Sequence, residues 1–310
     1  DLPGAFLLAG VLACIVIAFS TADPSRQVVA TSAKWVLPLA AVLVLGFAWW
    51  QRRAANPLLE PGAFRRRPAW GALLVNLALG GALMAALVDV PLFARSTVDP
   101  DSETAAALVL LRFLIAVPIG AVIGGLLCRH RGRAAAVAAA GMVLAVVAFA
   151  GMATWSETAL GGGPRWSDVE LVAAGLGFGL AIAPVNVAIL GAVEERHHAL
   201  ASALAVVART IGMLAGVSAL TAIALHRFYG AVAGSSPLKL CPQNPLHCPA
   251  ADTAQTNAVL SELHTIFTGA AVCAALAAVL AAVLLRRAGG DAEPDEVAAT
   301  GVVDAASASA

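Results

Sequence analysis

The chain has 310 residues, of which 60% are hydrophobic and 12% are charged. This composition excludes an ordinary soluble globular domain, and the formal net charge of zero excludes the basic footprint of a nucleic-acid-binding protein. The sequence therefore predicts an all-α polytopic membrane protein.

Apolar segments long enough to span a bilayer, which requires about 20 helical residues, follow one another along the chain. They lie near residues 4–20, 34–50, 70–94, 104–127, 134–155, 169–192, 199–225 and 263–285. The first segment is short, so its ends are poorly defined by the sequence. We expect about eight transmembrane helices.

Arginines are concentrated in the segments that follow the second, fourth, sixth and eighth spans, whereas the other loops carry few cations or carry acids. The cationic set is Arg52, Arg53, Arg65, Arg66, Arg67, Arg129, Arg131, Arg133, Arg196, Arg286 and Arg287. Cationic loops remain on the cytoplasmic side of the plasma membrane. The alternation therefore predicts that both ends of this chain are cytoplasmic.

Six tryptophans lie at the ends of predicted spans, where an amphipathic ring suits the membrane–water interface. They are Trp35, Trp49, Trp50, Trp70, Trp155 and Trp166. We interpret them as interfacial anchors and assign them no functional role.

The predicted spans divide the chain into three parts. Residues 1–68 hold two helices and a basic cytoplasmic loop, and residues 69–287 hold six helices. Residues 288–310 form an acidic tail of small residues whose composition predicts disorder. The longest external loop is expected at residues 226–262.

Two cysteines, Cys241 and Cys248, lie seven residues apart in this external loop. Cysteines on the exported side of a membrane favour a disulfide. A metal site formed by both cysteines and His247 is the alternative, although it lacks a fourth ligand. The sequence therefore favours a disulfide over a metal site.

Arg209 lies in an apolar segment, about 15 Å from its beginning at residue 199 and so near the middle of the bilayer. An uncompensated charge there costs at least about 2.5–3.5 kcal/mol. Gly212 and Gly216 form a small-residue face that lets another helix approach closely. We predict that Arg209 faces a cavity or partner and couples protonation to conformational change or binds polar head groups. The alternative is a structural arginine that snorkels or caps backbone carbonyls.

Asp89 and Arg112 are charged residues that also lie inside predicted spans. Asp89 is near the outer end of the third span, and Arg112 is about 12 Å into the fourth from the same side. Because a short loop joins these spans, we predict an ion pair between Asp89 and Arg112. Its function would be proton-sensitive or gating, and the alternatives are a static pair or an Asp89 that reaches interfacial water.

Uncharged polar residues in the spans include Asn76, Asn186 and Thr210, and Asn186 follows the helix-kinking Pro184. We interpret these residues as candidates for lining a cavity. The alternative for the amides is hydrogen bonding between helices, worth about 0.6 kcal/mol each.

Catalytic signatures are missing from the sequence, which has no Ser/His/Asp set, phosphate-binding loop or HExxH motif. We therefore expect neither an enzyme nor an ATP-driven protein, and we expect no metal and no cofactor.

Several motifs indicate a family. The run Asn56-Pro-Leu-Leu-Glu-Pro61, followed by Phe-Arg-Arg-Arg at 64–67, is similar to an "NPLL…LFRNR" segment of the major facilitator superfamily. The segment LASALAVVARTIGMLAGVSAL at 200–220 resembles a helix of the same fourteen-helix drug:proton antiporter branch. GLGFGLAIAPVN at 175–186 is most similar to actinobacterial exporters, including mycobacterial exporters of triacylglycerides and drugs.

The resemblance implies that residues 1–68 are two extra linker helices and that residues 69–287 are the C-terminal half of a transporter. The implied function is proton-driven export of amphipathic or lipidic molecules, with the proton as coupling ion. Multidrug efflux and envelope lipid export are the two alternatives for the cargo, and a non-transporting scaffold or receptor is the alternative of another class. The implied partners are an N-terminal transporter half, membrane lipids and an envelope lipoprotein.

One motif departs from the family pattern. The sequence Gly125-x-Leu-x-Arg129-x-x-Gly-Arg133 lies where the superfamily repeats a "GxLaDrxGr" loop. Arg129 replaces the aspartate of that loop, so the gating contact usually made by this aspartate is in doubt for this half.

Overall fold

The computed structural model describes residues 2–19, 32–53, 67–97, 103–128, 133–156, 159, 166–233, 241 and 248–285. Within these residues the chain forms eight α-helices, one short 3₁₀ helix (Glu195–His197) and no strand. The α-helices are α1 Leu2–Phe19, α2 Ala33–Gln51, α3 Arg67–Thr97, α4 Glu103–Leu127, α5 Ala134–Met152, α6 Trp166–Ala192, α7 His198–Val232 and α8 Pro249–Leu284. The predicted all-α fold is confirmed.

Seven of these described helices, α2 to α8, are long and apolar enough to cross a membrane. Helix α1 contains a shorter apolar stretch, Phe6–Ala18. The positions of all eight predicted spans coincide with helices, whereas the crossing of the bilayer by α1 remains a prediction. Prolines inside α2, α3, α4 and α6 do not end these helices, because neighbouring helices can satisfy the freed backbone groups.

Helix α3 occupies the centre of the bundle and contacts α4, α6, α7 and α8. Helix α6 packs closely against both α4 and α5, and α5 also packs against α8. Helices α1 and α2 pair with each other, and α1 contacts α7. Thus the last six helices form one bundle and the first two form a hairpin beside α7.

Aromatic rings fill the core between α3, α4, α5, α6 and α8. The buried phenylalanines are Phe93, Phe113, Phe149, Phe178 and Phe267. Edge-to-face and stacked contacts link these rings, with centroids 5.4 to 6.5 Å apart when Trp155 is included. Such contacts add about 0.5–1.5 kcal/mol each to the burial of the rings.

Two sequence predictions about the end of the bundle at which α7 ends and α8 begins are wrong. The expected external loop at 226–262 is helical over 226–232 and 249–262, since α7 and α8 continue well beyond their apolar cores. Pro249 at the first turn of α8 and the alanines after it favour this continuation. Trp155 is buried in the aromatic core at 6% exposure, so it is no interfacial anchor.

Other predictions fall on residues that the structure does not describe. They concern most of the cationic loop residues, Arg129 of the motif that differs from the family pattern, the predicted disorder of the tail at 288–310, and His247 of the alternative metal site. These predictions lie outside the described residues.

Candidate functional site

Glycines bring α3 and α7 into direct backbone contact. A Cβ atom added at Gly212 of α7 would lie 1.9 Å from the carbonyl oxygen of Leu77, and one added at Gly216 would lie 2.5 Å from the Cα of Gly81. On the opposite helix, a Cβ at Gly80 would lie 2.1 Å from the carbonyl oxygen of Arg209. The predicted small-residue face of α7 therefore packs against another helix, and that helix is α3.

This close approach places Arg209 beside Asn76. The Nε and Nη2 atoms of Arg209 donate hydrogen bonds to the Oδ1 atom of Asn76, over 3.1 and 2.8 Å. Asn76 is fully buried, and its Nδ2 donates to the backbone oxygen of Ala72 at 3.0 Å. The amide is thus oriented by its own helix so that its oxygen faces the guanidinium.

The guanidinium of Arg209 is half-buried, and an amide oxygen is its only hydrogen-bond acceptor within the described residues. An amide carries a dipole but no charge, so the contact satisfies two donors without neutralising the cation. Five N–H donors belong to a guanidinium. Within the described residues, Arg209 therefore retains hydrogen-bond donors that could bind a carboxylate or a polar head group.

Arg112 of α4 does not pair with Asp89. It donates to the carboxylate of Asp168, in the first turn of α6, and the two side chains are 45% and 23% exposed. The physical reason is the packing of α4, which lies most closely against α6 and only lightly against α3. The predicted ion pair between Asp89 and Arg112 is wrong, and Asp168 is the partner.

Asp89 instead faces a second acid. It is 6% exposed on α3, and the charged residue that interacts with it electrostatically is Glu262 of α8. Within the described part of the chain, the Asp89 carboxylate has no cationic partner. Two carboxylates that approach each other away from water do not both carry charge at low cost. Among the described residues, the Asp89 carboxyl group is thus left without a compensating positive charge.

A chain of hydrogen bonds next to the aromatic core connects α5, α6 and α8. Trp155, just after α5, donates its indole N–H to Glu170 of α6. Its backbone oxygen is 2.7 Å from the Nε2 of His264 on α8. A carbonyl oxygen can only accept, so Nε2 of His264 carries the proton. These contacts join the ends of α5, α6 and α8 to one another.

The remaining predicted residues lie apart from the Arg209–Asn76 contact. Asn186 is half-buried on α6 beside the buried Pro184, and Thr210 is exposed on α7 with its hydroxyl bonded to the oxygen of Val206 at 3.0 Å. The hydroxyl of Thr210 is satisfied by its own helix. That Asn186 and Thr210 line a cavity remains a prediction.

Cys241 and Cys248 are joined by a disulfide, as the sequence favoured. Cys248 immediately precedes α8, so the bridge fixes the connection between α7 and α8 to the beginning of α8. It marks the end of the bundle that carries Asp89, Glu262 and His264.

Sequence reasoning missed Glu262, His264 and Glu170. Their signal was present, because each is an ionisable residue within a few residues of an apolar run. It was overlooked because Glu262 was assigned to the external loop and Glu170 was counted among the loop acids, whereas His264 is the second residue of the eighth predicted span and was given no role. Only the packing of α5, α6 and α8 shows which groups these side chains contact.

We expect the Arg112–Asp168 pair to show coupling in a double-mutant cycle. Because the pair is partly exposed, Arg112→Ala and Asp168→Ala should share a coupling free energy of about 0.5–1 kcal/mol in thermal unfolding. A parallel cycle of Arg112→Ala with Asp89→Asn is the control and should show no coupling. Coupling in the second cycle and none in the first would contradict the observed pairing.

Comparison with known proteins identifies the family. Residues 2–217 match the profile of the Major Facilitator Superfamily. Among curated relatives, a protein of Mycobacteroides abscessus described as a triacylglyceride transporter is 38% identical over 239 residues, which are 74% of this chain and 46% of that protein. A triacylglyceride transporter of Mycobacterium tuberculosis is 39% identical over 245 residues, 76% of this chain and 47% of that protein.

A third relative, described as a triacylglyceride transporter of Mycolicibacterium smegmatis, is 39% identical over 238 residues, 74% of this chain and 42% of that protein. The chain thus spans a little less than half the length of the curated relatives it matches.

Proposed function

Because this chain belongs to the Major Facilitator Superfamily, we propose that it forms the C-terminal part of a proton-driven exporter of lipidic or amphipathic molecules. The family and the described helices make it a multi-pass membrane transporter rather than an enzyme. The names of the relatives favour a neutral lipid such as a triacylglyceride over a cationic drug as cargo.

The observation that carries the proposal is the contact between Arg209 and Asn76. In secondary transporters of this kind, two repeats rock against each other around a site near the middle of the membrane. Arg209 is predicted near the middle of the bilayer, is oriented by Asn76 and keeps unused donors. A carboxylate on an N-terminal half of the transporter can bind Arg209 in one state and release it in another.

Asp89 and Glu262 supply a second part of the proposed mechanism. Asp89 is buried beside another carboxyl group rather than a cation, so we propose that Asp89 carries a proton, which removes its own negative charge. Release of this proton places a negative charge between α3 and α8, two helices in direct contact. We propose that this change in charge biases the packing of α3, the helix that also carries Asn76.

The cargo class follows from the surfaces of the helices. The described helices are overwhelmingly apolar, and charged side chains within their spans are few. Such surfaces suit a hydrophobic cargo, because an apolar molecule needs no charged recognition group. We propose that the transporter resides in the plasma membrane with both ends of this chain cytoplasmic, and that an envelope lipoprotein receives the cargo.

The test follows two substrates in proteoliposomes that contain the purified protein under an imposed pH gradient. We expect movement of a labelled triacylglyceride that requires the gradient, and no comparable movement of a cationic dye. Asp89→Asn should abolish the dependence on the gradient, because an amide cannot release the proton. Dye movement without lipid movement would establish drug antiport, and movement of neither would favour a scaffold or receptor.

A further inference from the structure

A polar stripe runs along one face of α8 at the end of the bundle marked by the disulfide. Its members recur at helical spacing, so they share one face of the helix: Asn257, Ser261, His264, Thr265 and Thr268. Over this stretch the helix rises about 16 Å. A row of polar side chains is more stable in contact with water or a polar ligand than in contact with lipid tails.

The stripe forms one wall of a cavity of about 470 Å³ between α7 and α8. Arg227 of α7 lies across the cavity, and Leu260 is the apolar member of the lining. Small-molecule sites usually occupy about 300–1,000 Å³. The cavity is therefore large enough for a polar head group of several heavy atoms.

The charge of the lining selects an anion. Arg227 is the single charged side chain among the lining residues, and none of the lining residues is acidic. Within the described part of the chain, the guanidinium of Arg227 has neither an ion-pair nor a hydrogen-bond partner. Guanidinium groups bind phosphate and carboxylate oxygens through two parallel hydrogen bonds.

The hydrogen-bonding groups of the stripe favour hydroxyls beside that anion. Thr265 and Thr268 donate their hydroxyl protons to the backbone oxygens of Ser261 and His264, at 2.7 and 2.6 Å, so their oxygens remain as acceptors. His264 donates through Nε2 to Trp155, which leaves Nδ1 for a ligand. The wall thus offers acceptors to a ligand whose anionic group is held by Arg227.

From this arrangement we propose that the cavity between α7 and α8 binds a hydroxyl-bearing phosphate ester, such as the glycerophosphate head group of an anionic lipid. The apolar part of α8 begins at Ile266, so the cavity lies where head groups meet the hydrocarbon region. Arg227 holds the phosphate, and the polar stripe of α8 accepts hydrogen bonds from the hydroxyls. This site is separate from the Arg209–Asn76 contact.

The test measures lipid binding to the purified protein by native mass spectrometry, with phosphatidylglycerol and phosphatidylcholine compared at equal concentration. We expect preferential binding of phosphatidylglycerol and a loss of about tenfold or more in Arg227→Gln, because a charge-assisted hydrogen-bonded contact is removed. Arg227→Lys, which keeps the charge but loses the planar fork, should bind with intermediate affinity. Arg196→Gln is the matched control, since Arg196 is an exposed arginine that pairs with Glu194 at the other end of the bundle.

The source of the phosphate ester is distinguished by competition with soluble glycerol 1-phosphate. Displacement of phosphatidylglycerol by millimolar glycerol 1-phosphate would assign the site to a soluble phosphate ester, and resistance to it would assign the site to a membrane lipid. Equal binding of phosphatidylglycerol and glycerol 1-phosphate by the wild type and by Arg227→Gln would overturn the proposal. Size-exclusion chromatography confirms that each variant is folded, and neither readout depends on transport.

Discussion

Gly212→Ala is expected to destabilise the protein by about 1–3 kcal/mol, although alanine is the better helix former. The added Cβ would lie 1.9 Å from the carbonyl oxygen of Leu77. This obstacle is backbone, so it cannot rotate away as a flexible side chain would. Helices α3 and α7 must therefore separate, and the contact between Arg209 and Asn76 must lengthen. Thermal unfolding of the purified variant in detergent measures the effect.

Gly230→Ala is the matched control for this prediction. It lies on the same helix, α7, and a Cβ added there meets nothing within 4 Å. Helix propensity alone predicts that both substitutions stabilise α7 by up to about 1 kcal/mol. Only close packing predicts that the free energy of unfolding decreases in Gly212→Ala and increases in Gly230→Ala. Equal stabilisation of the two variants would therefore refute the tight crossing of α3 and α7.

Much of this architecture could be predicted from apolar length and glycine spacing. Helices need about 20 apolar residues to span a bilayer, and that length is visible in the sequence. The face formed by Gly212 and Gly216 indicated close packing before the partner helix was known. Those two signals are local, because each depends on residues within one helix.

The partners of the charged residues could not be predicted in the same way. The sequence shows how far Asp89 and Arg112 lie along their helices, but this position does not determine the rotation of a helix or its nearest neighbour. Arg112 faces α6 because α4 packs there, and Asp89 faces α8, which is distant in the sequence. Pairing of charges depends on tertiary packing, which composition and periodicity do not encode.

The continuation of α8 was missed for a different reason. A hydropathy argument ends a helix where apolar residues end, whereas a helix continues as long as its backbone groups and its neighbours support it. Residues 249–262 are polar but contain good helix formers and begin with a proline at the first turn. Glu262 and the first two members of the polar stripe, Asn257 and Ser261, were consequently assigned to a loop, so the stripe was not recognised as one face of a single helix.

Arg209→Ala is expected to reduce gradient-driven transport by at least about tenfold, which corresponds to about 1.4 kcal/mol in the transport barrier. The substitution removes the only mid-membrane cation of α7 and leaves the buried oxygen of Asn76 without its donor. An unsatisfied buried acceptor costs about 1–3 kcal/mol. Flux of a labelled triacylglyceride into proteoliposomes measures the change.

Arg209→Lys separates the charge from the geometry of the guanidinium. Lysine keeps a positive charge but cannot place the two N–H groups that now reach Asn76 from Nε and Nη2, so we expect partial transport. Arg196→Ala is the control, because Arg196 and its partner Glu194 are both exposed at the end of the bundle. If both Arg209 variants transport like the wild type, Arg209 is a structural residue that reaches the membrane surface, and the coupling mechanism must lie in Asp89 and Glu262 alone. If the lysine variant works and the alanine variant fails, the charge itself is what the opposite half of the transporter recognises.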